Sequence, residues 1–73
     1  MSLKQLKKLT REAEFQLIER MEPGGLKVTV IGDRVVHWWP ESRRQTAYVE
    51  GSSHGENRAD AHRVIQLATG EGE

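Results

Sequence analysis

The chain has 73 residues, 11 basic and 11 acidic side chains for a formal net charge of zero, and no cysteine. Its length suits one domain with one thin core and leaves little room for a deep catalytic cleft. Without cysteine there can be no disulfide or thiolate metal site, and a reducing compartment, the cytoplasm, is the expected setting; the balanced charge argues against a general nucleic-acid binder that gains affinity by covering phosphates.

From Ser2 to Met21, the residues Leu3, Leu6, Leu9, Ala13, Leu17 and Met21 recur every three or four places. This is the stripe of an amphipathic helix, and Pro23-Gly24-Gly25 stops it. Ser2 and Gln5 have the spacing of a capping box. Thr10 can serve as an N-cap equally well, in which case residues 1–9 form a flexible basic arm ahead of a shorter helix. The sequence leaves both starts open. No apolar stretch approaches bilayer length and the Lys-rich N-terminus lacks the apolar centre of a secretory signal, so a soluble protein with no membrane contact is expected.

The segment Leu26 to Glu50 has strand character. Leu26 to Ile31 alternates, Gly32-Asp33 fits a two-residue hairpin turn, and Arg34 to Trp39 returns. With Ile31 opposite Arg34, the residues Leu26, Val28, Val30, Val35, His37 and Trp39 share the core face. Lys27, Thr29, Ile31, Arg34, Val36 and Trp38 then share the outer face, with Trp38 across from Lys27. Pro40 ends the strand, and a third strand is expected over Gln45 to Glu50, with Ala47 and Val49 facing one way and Tyr48 the other. After the loop Gly51-Ser52-Ser53-His54-Gly55, a second helix begins at Ser53 or Asn57. It carries Ala61, Val64, Ile65 and Ala68 on one face and ends at Gly70, leaving residues 70–73 as a disordered acidic tail. The expected fold is a single α+β domain: N-terminal helix, three-stranded antiparallel sheet, C-terminal helix.

Signals for catalysis or metal binding are weak. His37, His54 and His62 lack the spacing of a ligand set, so no metal and no cofactor is expected. The neighbours Ser52, Ser53 and His54 do not make a nucleophile, which needs a base held by a third group from elsewhere in the fold. Gly51, Gly55 and the serines between them could cradle an anion at a helix start, but no phosphate-loop motif accompanies them, and an ordinary helix-entry loop explains them as well. The chain is expected not to be an enzyme.

Signals for binding are stronger. Neighbouring strand residues point to opposite faces, so Trp38 and Trp39 cannot both be core residues. The expected anchor is Trp38, with Arg43 and Arg44 beside it to pair with carboxylates, since exposed aromatics and Arg dominate contact energy at interfaces. A satellite cluster of Trp38 with Tyr48 or lysine stems is the plainer alternative. Lys4, Lys7, Lys8 and Arg11 lie together on the first helix, either simply solvated or as a second docking face that widens the contact. Trp38 stacked on a base, with Arg43 and Arg44 on phosphates, would instead make a single-stranded nucleic-acid module. That partner is secondary, because Glu56, Asp60, Glu71 and Glu73 are acidic.

In outline over nearly the whole chain, the basic helix, the hairpin ending Val36-His37-Trp38-Trp39-Pro40-Glu41-Ser42, the short strand and the Arg/Ala-rich closing helix resemble small lytic-bacteriophage transcription regulators that bind bacterial RNA polymerase. The resemblance implies a non-catalytic protein of host takeover, acting in the bacterial cytoplasm. Such a protein docks on a polymerase subunit and inhibits initiation or alters termination (antitermination) by steric or allosteric interference. A phage inhibitor of another host complex, a nuclease or a defence system, would show the same surface features.

Overall fold

The computed structural model describes residues 2–52 and 55–70. Their order is α1 (Ser2–Ala13), β1 (Gln16–Glu22), β2 (Gly25–Ile31), β3 (Val35–Trp38), β4 (Ala47–Val49), β5 (Gly55–Glu56) and α2 (Ala61–Thr69). The strands form one antiparallel sheet in the order β1-β2-β3-β4-β5. The class is α+β as expected, but with five strands instead of three.

The first difference lies in the N-terminal segment. Residues 2–9 belong to α1, so there is no free basic arm, and Thr10 sits inside the helix with its hydroxyl donating to the Lys7 carbonyl at 3.0 Å. The helix stops at Ala13, well before Met21. Glu14 takes a left-handed φ of 62°, its N–H donates to the Arg11 carbonyl, and the Phe15 N–H donates to the Thr10 carbonyl. These two bonds make a Schellman ending with glutamate where glycine is usual. The chain then reverses into β1, which pairs with β2 through the register Gln16↔Ile31 to Glu22↔Gly25. Pro23-Gly24 forms the intervening turn, and Gly25 has a φ of 120° that disfavours any L side chain. Leu17 and Met21 keep a spacing of four, which reads as helical, but their real periodicity is two.

The second difference is the register of the β2–β3 hairpin. Ile31 pairs with Val35, not Arg34, which leaves the three-residue turn Gly32-Asp33-Arg34. Two tertiary interactions decide this length. The Arg34 N–H is committed to the Ala68 carbonyl of α2 at 2.9 Å. Gly32 lies so close to Phe15 that a Cβ there would fall 2.7 Å from the ring. A shift of one residue inverts every side chain of a strand. Val36 and Trp38 therefore face the core with Val28 and Val30, while Val35, His37 and Trp39 turn outward, the reverse of the expected assignment.

Both helices cover the same face of the sheet. The core contains Leu6 of α1, Val28, Val30, Val36, Trp38, Ala47 and Val49 of the sheet, and Ala61, Val64, Leu67 and Ala68 of α2. Ala47 and Val49 share the core face and Tyr48 opposes them, as expected. The helix α2 begins later than expected: Asp60 is its N-cap, accepting from the Arg63 N–H at 2.8 Å, while Glu56 lies in β5 and Asn57 precedes the helix. Ser53, His54 and the tail residues 71–73 lie outside the described residues. Gly70 does end the helix, in a left-handed conformation that lets its N–H bond back to the last turn.

Candidate docking surface

Trp38 is not an exposed anchor. Its side chain is fully buried, and its indole N–H donates to the Ala59 carbonyl at 3.2 Å, pinning the segment that leads into α2. The alternation argument holds, but the outward ring is that of Trp39. One step beyond the Val28↔Trp38 pair, Lys27 stands by Trp39, with its Nζ 5.8 Å from the ring centroid. This is the cation–indole neighbour expected for Trp38, moved by one residue with the register.

The face of the sheet away from the helices carries Trp39 in cross-strand rows. Arg20 of β1 pairs with Lys27 of β2, so Arg20, Lys27 and Trp39 form one row. Next to it run Ile18, Thr29, His37 and Tyr48, one from each of β1 to β4. Gln16, Ile31 and Val35 make the third row. Ile18 is 48% exposed in a setting where most large apolar side chains are covered. The face is thus apolar and aromatic at its centre and basic along the Arg20–Lys27 row.

Within the middle row His37 is held from both sides. Its Nδ1 lies 3.1 Å from the Thr29 hydroxyl, its Nε2 lies 3.2 Å from Glu50 Oε1, and its ring stacks on Tyr48 at 6.2 Å with an interplanar angle of 19°. Hydroxyl, imidazole and carboxylate occur here in the order of an acyl-transfer relay. Such a relay also needs N–H donors aimed at a developing oxyanion. Thr29 lies on β2, which is paired with β1 on one side and β3 on the other, so its neighbouring main-chain donors belong to sheet ladders. The arrangement fixes the orientation of a ring on a flat surface.

The loop 40–46 completes the surface and is tightly organised. The Trp39 N–H donates to the Thr46 carbonyl, the Ser42 hydroxyl to the Trp39 carbonyl, and the Gln45 N–H to the Ser42 hydroxyl. From outside, Arg58 and Ala59 donate their N–H groups to the carbonyls of Arg44 and Gln45. Trp39, Ser42, Arg43, Arg44 and Thr46 line a shallow surface pocket of about 380 Å³. Arg43 and Arg44 are exposed and share this pocket with Trp39, not with Trp38, the tryptophan expected beside them.

The helix basic residues do not join it. Lys4, Lys7, Lys8 and Arg11 are exposed on α1, in the layer on the other side of the sheet, and Lys7 forms an ion pair with Glu19 at 3.3 Å. The expected widening of the contact by this basic face is therefore corrected: α1 lies in the helical layer, and Trp39 lies on the opposite face of the sheet. Arg20 and Lys27, which sequence reasoning did not select as partner-binding residues, are the cations that share a face with Trp39. Their strand pairing was hidden as long as residues 16–22 read as helix.

Among the described residues, no group of three or more His, Asp or Glu converges in a way that could hold a metal ion. His62 is engaged across the helix pair, with its Nδ1 3.4 Å from Gln5 Nε2. No helix among the described residues is long and apolar enough to cross a membrane. No known protein family, curated protein or solved structure matches the chain.

Proposed function

We propose that this protein is a non-enzymatic docking module that occupies an acidic surface on a larger protein, with Trp39 as anchor and Arg43, Arg44, Lys27 and Arg20 around it. The partner to which the phage-regulator resemblance points is bacterial RNA polymerase, with inhibited initiation or altered termination as the outcome of steric or allosteric interference. The observation that carries the reading is the half-buried indole of Trp39 beside a rigid loop that presents two exposed arginines. A fixed loop loses little conformational entropy on association, and an aromatic ring flanked by guanidinium groups is the composition of interface hot spots. The four cations would steer an acidic partner even though the whole chain is neutral.

Purified polymerase and the intact protein, measured by fluorescence anisotropy, test the proposal. Trp39→Ala is expected to weaken binding by about 30-fold or more, the effect of losing a hot spot of roughly 2 kcal/mol. Arg43→Ala/Arg44→Ala should weaken it further and flatten its salt dependence. No binding to polymerase removes the polymerase version. Binding that both variants leave unchanged removes the anchor.

One observation favours a second reading. Trp39, Tyr48 and His37 lie on one open sheet face beside basic residues, which is how single-stranded nucleic acid is held by stacking and charge together. Titration with an oligonucleotide separates the two: this reading requires quenching of Trp39 fluorescence and an affinity that falls steeply with salt.

A further inference from the structure

The two edges of the sheet differ sharply. One is β5, only two residues long, and a strand that short offers little for another chain to pair with. The other is β1, seven residues long, with neither proline nor glycine in it, and five of its seven residues are exposed. Ile18 and Met21, the two exposed large hydrophobic residues among those described, both lie on β1, at 48% and 73% exposure. An edge of this kind presents a row of unpaired main-chain N–H and C=O groups together with apolar side chains.

We propose that β1 pairs antiparallel with β1 of a second copy of this chain, across a two-fold axis at Ile18. The two-fold must run perpendicular to the sheet, so each face continues into the same face of the partner. One residue must then lie opposite its own copy, because directly opposed residues share a face. With Ile18 at the axis, Gln16 faces Arg20 and Leu17 faces Glu19 of the second copy, and among the paired residues 16–20 no like charges are directly opposed. Centring on Glu19 or on Arg20 would set carboxylate against carboxylate or guanidinium against guanidinium, and centring on Leu17 would leave fewer pairs within the strand. Ile18 thus buries its exposed side chain against its copy, and Glu19 keeps its Lys7 partner.

The result is a continuous sheet of ten strands from two copies of five, with both helical layers on one side and both Trp39 faces on the other. The contact is small, so the association should be weak and concentration-dependent. It does not depend on the proposed function: the paired edge of β1 and the Trp39 pocket by the 40–46 loop are different places on the molecule, and only Arg20 belongs to both. If both hold, the dimer offers two Trp39 sites to one large partner, and binding would gain from their shared attachment.

The chain contains no cysteine, which makes disulfide trapping clean. Across the proposed axis, Ile18→Cys places two thiols on Cα atoms about 4.5–5.5 Å apart, within disulfide reach. Met21→Cys is the control, a more exposed position on the same strand, because in this register the two copies of that residue lie six strand positions apart, about 20 Å. Mild oxidation should trap the Ile18→Cys dimer at least about tenfold faster than the Met21→Cys dimer, given that difference in separation. Equal rates would mean random collision and overturn the pairing. In sedimentation equilibrium the native chain should move from monomer to dimer as concentration rises, and Ile18→Lys should remain monomeric with an unchanged circular dichroism spectrum. A native chain that stays monomeric throughout, or an Ile18→Lys variant that dimerises as well as native, overturns it too. Neither experiment involves polymerase or the Trp39 site, so its failure is distinct from failure of the docking function.

Discussion

Trp38 and Trp39 are joined by one peptide bond and live in different environments. Trp38 is enclosed between the sheet and the segment before α2, with its N–H satisfied by the Ala59 carbonyl, while Trp39 lies half-buried beside Lys27 on the uncovered face. Indole stabilises a fold when its area is removed from water and its single donor finds an acceptor. On an open face the same area stays partly in contact with water. The contrast separates residues that make this molecule stable from residues left on its uncovered face.

The sharpest way to break that contrast is Trp38→Ala. It removes a fully buried ring and should cost about 3–5 kcal/mol, enough in so small a domain to leave the chain largely unfolded in urea titrations monitored by circular dichroism. If Trp38→Ala folds with near-native stability, the division between the two indoles is wrong.

Gly32→Ala comes next. A methyl at this position meets the Phe15 ring at 2.7 Å, so the hairpin or the Phe15 contact must shift, at a cost of about 1–3 kcal/mol. This tests whether the turn that sets the register is held by packing. Asp60→Ala removes the N-cap of α2, on the covered side of the sheet, and should lower the unfolding midpoint by an amount equivalent to about 1 kcal/mol.

The smallest stability effect belongs to the open face. Trp39→Phe should change stability by no more than about 0.5 kcal/mol yet should remove most of the fluorescence that acrylamide can quench, because the remaining Trp38 is enclosed. A residual fluorescence that acrylamide still quenches freely would show the two rings to be alike.

The legibility of the fold followed the range of the interactions that determine it. Alternation in Leu26 to Ile31, the opposition of Tyr48 to Ala47 and Val49, the apolar stripe of α2 and its stop at Gly70 are all local signals, and each is seen in the structure. Residues 16–22 misled because Leu17 and Met21 are four apart, a spacing common to a helix face and to every second pair of strand residues. No glycine marks the end of α1, where Glu14 takes the left-handed role. The beginning of α2 was obscured because Ser53, Asn57 and Asp60 are all capping types, and only Asp60 among the described residues captures the Arg63 N–H.

The candidate site shows the same boundary. That one of two adjacent indoles must face away from the core follows from strand geometry and was available from the residue order. Which one does so depended on a turn of two or three residues, and local sequence does not decide between them. The Arg34 N–H bonded to Ala68 of α2 and the Phe15 ring lying over Gly32 decide it, joining positions 34 apart and 17 apart in the chain. Composition and spacing therefore determined the class of fold, the burial of Leu6, Val28, Val30, Ala61, Val64 and Ala68, and the presence of an outward tryptophan. Only the closing of α2 and Phe15 onto the hairpin determined the register, and with it whether Trp38 or Trp39 lies on the uncovered face.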